Sequence, residues 1–135
     1  MIKYMLDTNI VIYVIKRRPI EVLDVFNLHA GQMCISSITM AELLHGAEKS
    51  ERTEHNLKVV ENFVSRLEVL EYGIKAAAHY GDIRAKLESK GTLIGVNDLH
   101  IAGHARSEGL TLVTNNIGEF ERVEALRLEN WLDVK

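Results

Sequence analysis

The sequence predicts an α/β fold: a three-layer sandwich with a central, mainly parallel sheet and helices on both faces. Three observations predict it. Short apolar runs rich in β-formers recur along the chain. They alternate with longer runs whose apolar residues repeat at three- and four-residue steps. Several of the short runs are broken at once by Asp, Ser or Asn, the residues that terminate strands and cap helices. Strands alternating with helices build parallel sheets.

The elements follow in order. Ile2 to Leu6 is a buried strand candidate, broken by Asp7-Thr8-Asn9. Ile10 to Arg17 is a first helix despite its β-branched content, and Arg18-Pro19 ends it. Pro19 to Leu28 carries Val22, Leu23 and Phe26 at helical spacing, with Pro19 able to sit at a first helical position. Met33 to Ser36 is a second strand, and Ser37 is the expected N-cap of a helix from Ile38 to Glu48. Leu57, Val60, Val64 and Leu67 mark a long amphipathic helix over roughly Glu54 to Arg66. Leu67 to Leu70 reads as a short strand. Ala76, Tyr80, Ile83 and Leu87 mark another helix, closed by Lys90-Gly91. A loop to Asn97 precedes a helix opened by Asp98 and stopped at Gly109. Leu110 to Thr114 is a strand ended by Asn115-Asn116, Glu119-Phe120 lie in a short turn, and Leu126 to Leu132 is a final strand.

The chain has 135 residues, enough for one domain, 1–135, with its own core. No repeat, linker or low-complexity segment divides it. Lys and Arg total 16 against 19 Asp and Glu, a net charge of −3, so the chain lacks the strongly basic balance of many nucleic-acid binders but leaves room for a local basic rim. The lone Cys34 rules out a disulfide framework or a cysteine-based zinc site and reads as a small core residue. No targeting segment opens the chain and no apolar stretch approaches ~18 residues, so a soluble cytoplasmic protein is expected, with no membrane contact.

Asp7, Glu42, Asp98 and Asn116, with Glu119 close behind, all fall where strands end or helices begin. In a parallel sheet those positions share one edge, the edge where ligands gather. Each residue has a local explanation when taken alone. Asp7 caps a helix, Asp98 favours a helix dipole, Glu42 is a surface glutamate and Asn116 a turn residue. Their convergence is the signal. Carboxylates brought together resist joint ionisation unless a cation neutralises them, which points to Mg²⁺ or Mn²⁺ and to metal-dependent phosphodiester cleavage. Thr8, Asn9, Ser37, Thr114 and Asn115 are candidates to orient the acids or touch phosphate.

Four segments then resemble a known family: Met5-Leu6-Asp7-Thr8-Asn9, Ser36-Ser37-Ile38-Thr39-Met40-Ala41-Glu42-Leu43, Ile94 to Ala102 through Asn97-Asp98, and Thr114-Asn115-Asn116-Ile117-Gly118-Glu119-Phe120. Together and in this order they resemble a PIN domain, and within it the VapC toxins of bacterial toxin–antitoxin modules. The resemblance covers essentially the whole chain. It implies a PIN-like sandwich and a Mg²⁺- or Mn²⁺-dependent endoribonuclease that cuts structured RNA, tRNA among its targets. It implies Asp7, Glu42 and Asp98 as the metal-binding acids. Many PIN domains carry a fourth acid where this chain has Asn116, and Glu119 is the candidate to supply that charge. It further implies a homodimer held inactive by a cognate VapB-type antitoxin in a higher-order complex, with operator DNA bound only through the antitoxin.

Other features have plainer readings. His100 and His104 stand four apart, as in zinc helices, but Ile101 replaces the glutamate of the zinc-protease motif, so packing or hydrogen bonding is expected instead. Lys16-Arg17-Arg18, Arg84, Lys86 and Lys90 are solvated surface charges by default and phosphate contacts by alternative. Four Tyr, three Phe and one Trp are too few for a base-stacking platform, so target choice would rest on RNA shape. Two competing functions remain: another metal-dependent phosphohydrolase, and a catalytically weak interaction module suggested by Asn116. A dehalogenase-like phosphatase needs an acid at position 9, where this chain has Asn9.

Overall fold

The computed structural model describes residues 1–132; the expected domain, 1–135, extends three residues beyond them. Five strands form one sheet: β1 (Tyr4–Leu6), β2 (Met33–Ser36), β3 (Glu68–Leu70), β4 (Thr111–Val113) and β5 (Leu128–Glu129). Their order is β3-β2-β1-β4-β5, and every pairing is parallel. Seven helices join them: α1 (Thr8–Lys16), α2 (Glu21–Leu28), α3 (Ser37–Glu48), α4 (Thr53–Val64), α5 (Ile74–Ser89), α6 (Val96–Ser107) and α7 (Ile117–Phe120).

Strand side chains alternate between faces, and that alternation divides the core. Met5, Cys34 and Leu112 are neighbours in register and point to the side packed by α5, α6 and α7, with Ile83, Leu87, Leu99, Ala102 and Phe120. Leu6, Met33, Ile35 and Val113 point to the other side, onto Ile10, Val14, Val22, Phe26, Leu43, Val60 and Phe63 of α1 to α4. A sheet with apolar side chains on both faces needs cover on both, which gives the three layers.

The structure moves several element ends. α1 starts at Thr8, because Asp7 is its N-cap, and Arg17 ends it in the left-handed region at φ 56°. α2 begins at Glu21, two residues after Pro19. Ser36, not Ser37, caps α3: its Oγ accepts the Ile38 N–H at 3.0 Å. α6 opens at Val96, so Asp98 is its third residue rather than its first. β5 covers two residues of the expected Leu126–Leu132 strand, since only Leu128 and Glu129 pair with β4.

Strand order fixes where a ligand can sit. The chain moves outward from β1 to β2 to β3, then returns to place β4 on the free side of β1. The crevice beyond the carboxyl ends of β1 and β4 is therefore the point where the order reverses.

Candidate active site

Asp7 leaves β1 at that crevice and is 3 % exposed. Both of its oxygens are held. Oδ1 accepts the Thr8 N–H at 2.8 Å, which starts α1, and Oδ2 accepts the Thr114 hydroxyl at 2.9 Å. Thr114 is itself fully buried and follows β4, so this bond crosses the switch point between the two strands. Burial pushes the Asp7 carboxyl up, and the charges of Glu42 and Glu119 add to that; the two hydrogen bonds oppose it.

Glu42 sits in the second turn of α3. Its Oε1 accepts the Thr8 hydroxyl at 2.6 Å, and its Oε2 accepts Asn97 Nδ2 at 3.2 Å. Thr8 Oγ1 also lies 3.2 Å from the hydroxyl of buried Thr39. Thr8 thus ties the start of α1 to α3, and Asn97 ties α6 to α3.

Asp98 and Glu119 flank Gly95. A Cβ built on Gly95 would lie 3.4 Å from Asp98 Oδ2 and 4.0 Å from Glu119 Oε1. Glu119 Oε1 accepts the Gly95 N–H at 3.1 Å, and Oε2 accepts Asn116 Nδ2 at 2.6 Å. Those donors hold Glu119 below the usual carboxylate range. Asp98 moves the other way. Partial burial, then the charges of Asp7 and Glu119, raise it to about 7, with Glu42 adding to the effect. Without a cation, these carboxyls resist ionising together, and Asp98 is the one pushed furthest toward neutral pH.

The fold therefore brings Asp7, Glu42, Asp98 and Glu119 into one electrostatically coupled pocket, joined by Thr8, Thr114 and Asn116. Three expected residues face elsewhere. The Ser37 hydroxyl accepts the Tyr72 backbone N–H at 3.0 Å, because the helix cap falls one residue earlier. Asn115 Nδ2 reaches Tyr13 Oη at 3.4 Å, toward α1. Asn9 is exposed on α1 and bonds none of the acids. Asn97, Thr39 and Gly95 belong to the pocket and were missed. The Asn97-Asp98 pair and the glycine two residues before it were the available signal.

The histidines are not a zinc pair: His100 Nδ1 lies 2.8 Å from Tyr72 Oη, and His104 Nδ1 lies 2.8 Å from Ser36 Oγ. The basic run Lys16-Arg17-Arg18 lies at the far end of α1 from Asp7, about 13 Å away at 1.5 Å per residue.

Among the described residues, no three His, Cys, Asp or Glu side chains stand close enough to close directly around one metal ion. The donor set nevertheless suits a hard divalent cation. Mg²⁺ is usually held by one or two carboxylates and keeps several waters, and all four acids here present oxygen. The mutual repulsion that raises Asp98 is the charge imbalance that such a cation would relieve.

The fold and site define a parallel α/β protein with an acidic pocket at the strand switch point. The PIN domain family model matches residues 4–126. The chain is 67% identical to Ribonuclease VapC2 of Haemophilus influenzae over 132 residues, covering 98% of this chain and 100% of that one. It is 57% identical to the tRNA(fMet)-specific endonuclease VapC of Shigella flexneri, covering 97% and 99%. In structure it superposes with a TM-score of 0.93 on the DNA-bound VapBC of Salmonella typhimurium, at 56% identity and covering 97% and 99%. The chain belongs to the PIN-domain family, among its VapC ribonucleases.

Proposed function

We propose that the pocket of Asp7, Glu42, Asp98 and Glu119 cleaves RNA with the help of Mg²⁺ or Mn²⁺, and that the chain is the toxin of a toxin–antitoxin module. The coupling of four carboxylates at one switch point carries this reading. Asp7 and Asp98 would hold the ion, with Glu42 and Glu119 reaching it directly or through its waters. A bound cation of this kind offsets phosphate charge and acidifies a coordinated water. The chain's own residues set the geometry for it. Thr114 and the Thr8 N–H fix both Asp7 oxygens, Thr8 and Asn97 fix Glu42, and Gly95 and Asn116 fix Glu119. No side chain is needed as a covalent nucleophile.

The relatives suggest substrate and partner. tRNA(fMet), named for the Shigella flexneri relative, is the first RNA to test. The DNA-bound VapBC complex of Salmonella typhimurium suggests a VapB-type antitoxin that carries the chain to its operator. A groove of about 310 Å³ suits such a partner: Ile12, Ile15, Leu43, Val59 and Val60 line it together with Thr8 and Glu42. An antitoxin segment lying there with a basic side chain toward the acids would block the pocket. We carry a homodimer as part of the same proposal. No helix among the described residues is long and apolar enough to cross a membrane, in keeping with a cytoplasmic site of action.

The test is cleavage of purified tRNA(fMet) with Mg²⁺ or Mn²⁺, stopped by EDTA and by the added antitoxin. Cleavage that persists in EDTA would overturn the metal assignment.

A further inference from the structure

The two acid-bearing helices α3 and α6 are tied together twice by one stripe of α6. Asn97 and His104 are seven residues apart, two helical turns, so they share a face. Asn97 meets Glu42 at the rim. His104 meets Ser36, the N-cap of α3, in the interior. The inner tie is the dry one: Ser36 is fully buried and His104 is 1 % exposed.

The hydrogen-bond count sets the tautomer. Ser36 Oγ accepts the Ile38 N–H, and among the described residues its own proton finds one acceptor, His104 Nδ1. His104 is then neutral, with its proton on Nε2. Among the described residues that buried nitrogen has no hydrogen-bond partner. Its ring packs T-shaped with Tyr72, with centroids 5.5 Å apart and planes at 78°. Burial also favours the neutral ring, lowering its pKa against a smaller opposing effect of Glu108.

We propose that His104 is a positioning residue: by orienting the Ser36 hydroxyl it fixes the start of α3, and thereby the place of Glu42 relative to Asp98. A leucine of similar bulk would fill the space but leave the Ser36 proton unpaired. An asparagine would leave space but return a polar atom near the Nδ1 position. A packing role and a positioning role therefore rank the two substitutions oppositely. The inference rests on the acid-pocket reading of the RNA cleavage.

The experiment measures kcat and KM for RNA cleavage in the whole protein, beside thermal unfolding, for H104L, H104N, S36A and the S36A/H104L double variant. Loss of an outer hydrogen-bonding partner typically costs about 10–100-fold in activity, and that loss is expected in kcat for H104L and S36A, with KM near wild type. H104N should recover most of it. The double variant should fall no further than either single change, since both break one tie. The position is overturned if H104L is at least as active as H104N, if KM alone changes, or if the S36A and H104L losses multiply. If H104L fails to fold, ¹⁵N spectra of wild-type His104 decide: a proton on Nε2 supports the role and one on Nδ1 overturns it. A wild-type protein that cuts no RNA would sink the pocket reading itself. An active wild type with an inactive D98N and a fully active H104L would sink only the role of His104.

Discussion

Asn116 donates its side-chain amide to Glu119, with Nδ2 2.6 Å from Oε2. The asparagine at the position where many PIN domains carry an acid is thus the clamp on the neighbouring acid. Replacing it with aspartate puts two carboxylates at that distance. Asn116→Asp should lower the melting temperature of the metal-free protein and tighten divalent-cation binding, because site affinity follows ligand charge count. Calorimetric Mn²⁺ titration and thermal unfolding with EDTA check both; no change in either would show that the clamp is idle.

Asp7 both caps α1 and faces the pocket, and two substitutions separate the roles. Asparagine caps as well as aspartate, whereas loss of a cap to alanine costs about 0.5–2 kcal/mol. Asp7→Asn should keep most of its stability and lose cleavage by about 10²–10³-fold, the scale for removing one charge-stabilising group at a reacting centre. Asp7→Ala should lose both. Denaturant titration beside an RNA cleavage assay tells them apart.

Asp98 links stability to pH in the metal-free protein. Its carboxyl is raised from 3.8 to about 7 in the folded chain. The folded state then binds a proton that the unfolded chain releases, so acid favours folding. That contribution is fully present below about 4 and is lost as pH climbs through 7. Asp98→Asn should therefore melt higher than wild type at pH 8 in EDTA, by a few degrees, while cutting no RNA. Added Mg²⁺ should raise the wild-type melting temperature and narrow that gap. A wild-type melting temperature that rises steadily from pH 5 to 8 in EDTA would contradict this.

The crossing of α5 and α6 depends on Gly103. A Cβ there would lie 2.9 Å from Tyr80 N and 3.2 Å from Ala76 O, both backbone atoms that cannot swing away. Gly103→Ala should destabilise the fold by about 1–3 kcal/mol, the usual cost of overpacking. Equilibrium unfolding checks it; a neutral effect would mean that the two helices separate freely.

Much of this was legible in the sequence, for identifiable reasons. Buried parallel strands are short apolar runs, so Met33–Ser36 and the region of Leu112 stood out. Asp7 could be placed because a helix cap and a strand end coincide there. The cap of α3 was misassigned by one residue because Ser36 and Ser37 are adjacent and equally good cappers; only the backbone bond to Ile38 separates them. β5 was overextended because Trp131 and Leu132 are apolar for core packing rather than for pairing. Asn97 and Thr39 were missed because their role is a hydrogen bond across more than 30 residues of sequence, which no local pattern encodes. Asn115 and Ser37 were assigned to the pocket by adjacency, but their side chains leave the backbone in other directions.

The central claim is that these acids share one cation, and a crystal of this chain soaked in Mn²⁺ tests it most directly. Anomalous scattering should show a peak against Asp7 and Asp98, with Glu42 and Glu119 in direct or water-mediated reach, and the peak should vanish in Asp98→Asn. A map with no peak in that crevice at saturating Mn²⁺, in a protein that still cuts RNA, would contradict the account.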